Sequence, residues 1–107
     1  MIKVVYRRKK NQLNIDGHAN SGEHGHDLVC ASASILAYTL AASVKNMVSA
    51  GQVKKPIIEL EAGCTKIACT PPPCFKCTIT LMFDTVCAGF ELLAANYPEN
   101  ISYEIRE

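Results

Sequence analysis

The segment with the most chemical potential runs from residue 17 to residue 34, GHANSGEHGHDLVCASAS. It contains a histidine, His18, and a cysteine, Cys30, separated by a glycine-containing stretch. A cysteine attacks as the thiolate, and a nearby imidazole can take its proton. The pair is therefore the minimum for acyl transfer, in which sulfur attacks a carbonyl carbon and no cofactor is needed. On spacing alone, His24 or His26 could replace His18 as the base.

The residues beside this pair predict how it is held. Asp27 stands where a helix N-cap would, and its carboxylate can cap backbone N–H groups or orient His18 as a third catalytic member. A helix starting there places Cys30 in its first turn, where free N–H groups favour a thiolate and can stabilise an oxyanion. Ser34 lies one turn later, as a site residue or as a small packing residue. Three glycines give the loop its conformational freedom: Gly17, Gly22 and Gly25.

The elements around this segment follow from periodicity and from turn residues. Residues 2–7 and 13–15 read as an opening hairpin, and residues 16–26 read as a loop. Apolar residues then recur at helical spacing up to Gly51, which predicts one long helix with a single buried stripe. The members of that stripe are Leu28, Ala31, Ile35, Leu36, Leu40, Val44, Met47 and Val48.

The second half of the chain reads as strands followed by a helix. Residues 57–62 and 65–69 have strand character, and TPPP at 70–73 predicts a turn or an edge crossing because proline lacks an N–H donor. The stretch CFKCTITLMF at 74–83 has β character. A second helix is predicted from Asp84 or Thr85 to Asn96, and a last strand at 101–105.

The element order ββαββαβ predicts an α+β fold of two layers, in which two main helices cover one face of a mostly antiparallel sheet. We expect one domain spanning residues 1–107. The second helix, VCAGFELLAANY, is apolar over much of its surface. That pattern predicts either a homodimer contact or burial in the protein's own core.

Charge and composition indicate the cellular location of the protein and exclude some classes of partner. The net charge of +1 gives no global electrostatic case for nucleic acid or membrane binding, and no uninterrupted apolar run approaches the ~20 residues of a membrane span. The first residues do not have the pattern of a secretory signal, so a cytoplasmic location is expected. The six cysteines are then expected to be thiols, most of them small buried hydrophobes.

Two other kinds of site remain open on the cysteine spacing. Four cysteines between 64 and 77 offer thiolates for zinc, but the spacing of Cys64 and Cys69 is unlike a zinc half-site and a strand would turn Cys74 and Cys77 to opposite faces. The histidines near Cys30 offer a second metal cluster.

The C-x-x-C pair formed by Cys74 and Cys77 also suggests a redox site, but such a pair belongs at a helix N-terminus and not at the start of a strand. No metal is expected.

The residues around Cys30 resemble a known family. Gly17-His18-Ala19, Gly22, Gly25, Asp27-Leu28-Val29-Cys30-Ala31 and Ser34 resemble the motif of the ribosomal-processing cysteine protease family Prp, and ELLAANYPENISYEI resembles its C-terminal segment. The resemblance implies a cysteine endopeptidase that removes a short N-terminal extension from a large-subunit ribosomal protein. It implies a dyad of His18 and Cys30, less certain roles for Asp27 and Ser34, a substrate-gating loop with Gly17, Gly22 and Gly25, and a homodimer.

A non-enzymatic alternative starts from the basic cluster at residues 7–10. A small ribosome-associated binding module could use this cluster on RNA, or the cluster could be a solvated turn. The departures from the family are Ser32 in the motif and the cysteine-rich stretch 64–77. They leave the dyad prediction in place and leave the substrate sequence open.

Overall fold

The structure, a computed structural model, describes the backbone of residues 1–17 and 24–107 and, within the first helix, the side chains from Leu28 onward. Its main elements follow the predicted order ββαββαβ, with short 3-10 turns at Arg8–Lys10 and Pro73–Phe75. The elements are β1 (Ile2–Arg7), β2 (Gln12–Asp16), α1 (His24–Ser49), β3 (Lys54–Glu61), β4 (Cys64–Thr70), α2 (Lys76–Asn96) and β5 (Ile101–Arg106).

The five strands form one sheet in the order β3-β4-β2-β1-β5. β1 pairs antiparallel with β2, β2 with β4, and β3 with β4, whereas β1 and β5 run parallel. The mostly antiparallel sheet is therefore confirmed. Pro56 lies in the edge strand β3, where a missing N–H donor is tolerated.

Alternate residues of the strands bury one face of the sheet. Ile2, Val4 and Tyr6 of β1 are buried, and so are Leu13 and Ile15 of β2. These side chains belong to one apolar cluster that also contains the buried residues of both helices. Since a strand alternates its side chains between two faces, both helices cover the same face. This is the predicted two-layer arrangement.

The buried stripe of α1 differs from the predicted one. Leu40 and Val44 are fully buried as predicted, but Leu28 is 54% exposed and Ile35 is 62% exposed. The first half of the helix instead buries Val29, Ala33 and Ala37, two of which are alanines. The prediction relied on the spacing of the larger apolar side chains. In the structure, the alanines lie on the buried face because their small side chains let the helix pack closely on the sheet.

The predicted β character of residues 74–83 is wrong. α2 begins at Lys76, eight residues before Asp84, and a 3-10 turn precedes it. Ile79, Phe83, Val86, Cys87 and Phe90 are its buried residues, and their spacing is helical. The β-branched run Thr78-Ile79-Thr80 misled the prediction because this packing outweighs a weak local preference.

Both helices are long and apolar enough to cross a membrane by length and composition alone, over Leu28–Ser49 and Pro73–Asn96. The core helices of soluble proteins pass the same test, and these two pack on the sheet. One third of each apolar window is buried. Large apolar side chains are consequently exposed on the outer faces of the helices: Leu28, Ile35, Leu81 and Leu92.

Candidate active site

A cavity of about 370 Å³ lies between the first half of α1 and the sheet. Cys30 lines it together with residues from the ends of β1 and β2 and from the β3–β4 turn. The small side chains Ala33 and Ala37 line the same wall. A larger side chain at either position would intrude on this space.

Three residues of α1 line the cavity at intervals of one helical turn: Cys30, Ser34 and Tyr38. Residues four apart share a helix face, so this row follows from the helix itself. Cys30 is half-buried and packs against the apolar core, whereas Ser34 and Tyr38 are exposed. The structure thus brings the predicted residues Cys30 and Ser34 to one cavity. Tyr38, which the sequence prediction missed, continues their spacing by one turn.

The opposite wall is formed by the turn between β3 and β4, which sequence reasoning did not assign to the site. Leu60, Glu61 and Cys64 line the cavity there. Glu61 is the single charged side chain among the described residues of the lining. No local motif marks this turn, because only the pairing of β2 with β4 brings it beside α1.

Gly17 joins this turn to the start of the 17–34 segment. Its backbone N–H donates to the carbonyl of Gly63 at 3.0 Å, and its φ is +101°. A Cβ atom at this position would lie 2.3 Å from the carbonyl oxygen of Met1. Glycine is therefore required both by the left-handed backbone and by the close approach of the chain.

The first helix begins earlier than predicted, at His24. Gly25 and Asp27 therefore lie inside α1, so Gly25 is not in the loop and Asp27 is not an N-cap. Cys30 lies in the second turn and not in the first, so the N–H groups of the first turn lie on its N-terminal side. Helical side chains tilt towards the N-terminus, which directs Cys30 towards that first turn.

Several predicted site residues are not tested by this geometry. His18 and Gly22 lie outside the described residues, as do the side chains of His24, His26 and Asp27. The catalytic role of His18, the supporting roles of Asp27 and Ser34, and the gating role of the glycines remain predictions.

A second thiol, Cys64, lines the same cavity. Loss of hydration raises the pKa of Cys64, and the neighbouring Asp16 carboxylate, which accepts a hydrogen bond from the thiol, raises it further. A thiol held in its protonated form is a poor nucleophile. The surroundings of Cys64 therefore do not favour it as a nucleophile.

The other cysteines fall into two groups. Cys69 and Cys87 are buried, and burial raises the pKa of Cys87 to about 12. Cys74 and Cys77 are exposed, as is Cys64, so the prediction that most of the cysteines are buried is wrong.

The zinc alternative fails on the geometry of β4. Cys64 and Cys69 lie near opposite ends of that strand, about 16 Å apart at the usual rise per residue. Zinc–sulfur bonds of about 2.3 Å cannot bridge this separation, so a site of all four thiolates from 64 to 77 is excluded.

The basic cluster at residues 7–10 is partly used inside the fold. The guanidinium of Arg8 donates to both carboxylate oxygens of Asp84 at 3.0–3.2 Å, and the buried Tyr6 hydroxyl donates to the same carboxylate at 2.7 Å. These hydrogen bonds from Arg8 and Tyr6 lower the pKa of Asp84. Arg8 therefore holds α2 against the β1–β2 turn, which reduces the surface left for RNA.

Comparison with known proteins places this arrangement in a family. The family model for cysteine protease Prp matches residues 1–102. The chain is therefore a cysteine protease, and it belongs to the Prp family. A comparison with curated proteins finds no match.

Solved structures agree with this assignment. The fold is similar to that of SMU.848 from Streptococcus mutans, with a TM-score of 0.68, 27% identity, and coverage of 97% of this chain and 90% of that one. It is equally similar to the ribosomal processing protease Prp from S. aureus in complex with a substrate peptide, with a TM-score of 0.68, 25% identity, and coverage of 98% and 97%. The S. aureus protease has also been solved with a covalently linked product peptide, at a TM-score of 0.67 and 25% identity, again covering 98% of this chain and 97% of that one.

Proposed function

We propose that this protein is an endopeptidase that removes a short N-terminal extension from a large-subunit ribosomal protein in the cytoplasm, with Cys30 as nucleophile and His18 as general base. The observation that carries the proposal is the position of Cys30, a half-buried thiol on the wall of a cavity of about 370 Å³. The processing role of the S. aureus relative supports the choice of substrate class.

The proposed reaction follows from these roles. His18 takes the proton of Cys30, and the thiolate attacks the scissile carbonyl carbon. Backbone N–H groups of the first turn of α1 stabilise the resulting oxyanion. The tetrahedral intermediate collapses as His18 protonates the departing amine, which leaves an acyl group on Cys30. Water, activated by His18, then hydrolyses this thioester and regenerates the thiol.

The wall opposite Cys30 is proposed to contact the substrate. It offers apolar surface from Leu60 and Ala62 and one carboxylate, that of Glu61. A basic substrate side chain near the scissile bond would place its charge beside Glu61. Tyr38, half exposed at the cavity wall, offers a flat apolar face and a hydroxyl to a peptide.

The test uses the N-terminally extended ribosomal protein of the same genome as substrate. Wild-type protein is expected to shorten it, as read by intact mass, whereas Cys30→Ala and His18→Ala are expected to lose at least about a thousandfold in rate. Cys64→Ala is the matched control, since it removes a thiol from the same cavity and should keep most of the activity. Equal cleavage by Cys30→Ala and wild type, or cleavage lost only in Cys64→Ala, would contradict the assignment.

We also propose that two copies of the chain pair through the outer faces of the helices. A groove of about 400 Å³ runs between α1 and α2, lined by Ile35, Leu36, Leu92 and Leu93 among others. Ile35 and Leu92 are each more than 60% exposed. The homodimer implied by the family resemblance would cover this apolar surface.

Sedimentation velocity tests the dimer. Leu92→Glu is expected to give a monomer, whereas Ile105→Glu, which alters an exposed apolar residue of β5, is expected to leave the dimer intact. A wild-type protein that sediments as a monomer at micromolar concentration, or that pellets with lipid vesicles instead, would contradict the proposal.

A further inference from the structure

The C-x-x-C pair at residues 74–77 does not have the strand context that the sequence predicted for it. Cys74 and Cys77 do not begin a strand. They lie in the first turns of a continuous helical segment, Pro73–Asn96, that follows β4. This is the strand-then-helix context in which redox-active cysteine pairs occur. We propose that Cys74 and Cys77 form a thiol–disulfide exchange site, separate from the protease cavity, that reacts with small anionic disulfides.

The local backbone places the side chains of Cys74 and Cys77 on the same side of the helical segment. Cys74 lies in the 3-10 turn, whose Phe75 N–H donates to the carbonyl of Pro72 at 3.0 Å, and Cys77 follows in the first turn of α2. Residues three apart are nearly eclipsed where a helix tightens to 3-10 geometry. A disulfide needs its two Cα atoms about 4.4–6.8 Å apart, which this spacing can provide.

The accessibility of the pair distinguishes it from the other thiols at this end of the molecule. Cys74 and Cys77 are both exposed, whereas Cys69 and Cys87 are buried. Burial also raises the pKa of Cys69, which keeps that thiol protonated. Cys69 lines the same cavity as Cys77 but is only 3% exposed, so Cys77 is the thiol that a disulfide in solution reaches first.

The surroundings favour an anionic partner. The first turn of α2 contains no acidic residue. Cys77 lines a cavity of about 770 Å³ whose wall includes Lys9, Lys10 and Lys76. The ammonium of Lys76 is held by the Lys9 carbonyl oxygen at 2.9 Å and by Asn11 Oδ1 at 2.5 Å. Positive charge beside Cys77 attracts a small disulfide that bears carboxylates, such as glutathione disulfide.

The exchange takes two steps. The Cys77 thiolate attacks one sulfur of glutathione disulfide, forms a mixed disulfide and releases one glutathione thiolate, which takes up a proton. The Cys74 thiolate then attacks the Cys77 sulfur, which forms the internal Cys74–Cys77 disulfide and releases the second glutathione. Two electrons pass from the protein to the glutathione disulfide, and two protons accompany them. Cys77 is assigned the first step because it lines the cavity and Cys74 does not.

The first test treats reduced full-length protein with glutathione disulfide, quenches with acid and maps the products by peptide mass. Wild type is expected to accumulate the Cys74–Cys77 disulfide about tenfold faster than the glutathione adduct of Cys64, the matched exposed cysteine. Cys74→Ser is expected to trap glutathione on Cys77, and Cys77→Ser to react slowly. Stable adducts without an internal disulfide in wild type, a Cys69–Cys77 link, or faster reaction at Cys64 would overturn the proposal.

The second test addresses the cavity. The double variant Lys9→Ala/Lys10→Ala is expected to slow oxidation by glutathione disulfide about three- to tenfold at low salt, and to leave oxidation by neutral hydroxyethyl disulfide unchanged. Equal effects on both reagents, or no effect on either, would overturn the assignment of an anionic partner. Protease activity of this variant should match wild type, because neither lysine lines the Cys30 cavity.

Discussion

The two helices lie on the same face of the sheet but pack on it in opposite ways. In its first half α1 presents small residues, Ala33 and Ala37, and leaves a cavity beside Cys30. α2 presents Phe83 and Phe90, both fully buried, and its Asp84 carboxylate accepts hydrogen bonds from Tyr6 and Arg8. Tyr6 and Phe83 stack with ring centroids 6.1 Å apart.

The two helices therefore contribute differently to stability and to activity. α2 supplies much of the close packing on which stability depends, whereas the first half of α1 packs less closely and leaves a cavity that can hold a substrate. Substitutions in α2 should therefore lower stability first, and substitutions in the first half of α1 should lower activity first.

The largest effect is expected from Phe83→Ala. The side chain is fully buried and stacked on Tyr6, so its removal should lower the free energy of unfolding by about 3–5 kcal/mol. Urea unfolding followed by circular dichroism measures this loss. Below the unfolding transition, kcat/KM should stay near the wild-type value. A large loss of activity in folded Phe83→Ala would contradict the division.

Ala33→Val tests α1 in the same way. The two added methyl groups have to fit against the sheet or into the cavity, at a cost of about 1–3 kcal/mol in stability. Because Ala33 lines the cavity, kcat/KM should fall about tenfold or more through displaced substrate. Ala41→Val, at a buried α1 position outside the cavity lining, is the matched control and should affect stability alone. Equal kinetics in the two variants would contradict the prediction.

Asp84→Asn is expected to cost about 1 kcal/mol at neutral pH, a modest value because the Arg8 pair is partly exposed to solvent. The pKa of Asp84 is lowered in the folded protein, mainly by Arg8. Its charge therefore stabilises the fold above the unfolded-state pKa of about 3.9, and this contribution is lost as pH falls through the lower folded value. Denaturation at pH 7 and at pH 3 should show the gap between variant and wild type closing. A gap that widens in acid would contradict the sign.

The smallest effect is expected from Gly89→Ala, where the helices touch. A Cβ atom there would lie 2.7 Å from a terminal methyl carbon of Leu36, which has to shift. The better helix propensity of alanine offsets part of this cost, so the net loss should be about 0.5 kcal/mol. Adding Leu36→Ala should remove the clash, and a double-mutant cycle measures the coupling. Zero coupling would show that the helices adjust freely.

The sequence predicted most of the fold because its strands alternate and its turns are marked. The hairpin of β1 and β2 follows from two short apolar runs separated by polar residues. The start of α2 could not be read in the same way, because Thr78-Ile79-Thr80 favours a strand locally. The helical period becomes visible only when Ile79, Phe83 and Phe90 are taken together.

The site was predictable on the α1 side and not on the sheet side. Cys30 and Ser34 share one helix face, which their spacing alone indicates. Leu60, Glu61 and Cys64 reach the same cavity through the pairing of β2 with β4, two strands far apart in the sequence that no local pattern connects. The start of α1 was placed too late because the first turn of this helix, HGHD, carries no apolar period.

The parallel pairing of β1 with β5 has a practical consequence for experiments on this protein. Ile2 lines the Cys30 cavity and Met1 packs against Gly17, so an affinity tag fused to the N-terminus would emerge beside the substrate. β5 runs in the same direction as β1 and ends beside Arg7, at the far end of the sheet. A tag placed after Glu107 would therefore leave the cavity open, and the cleavage measurements proposed above are best made with such a protein.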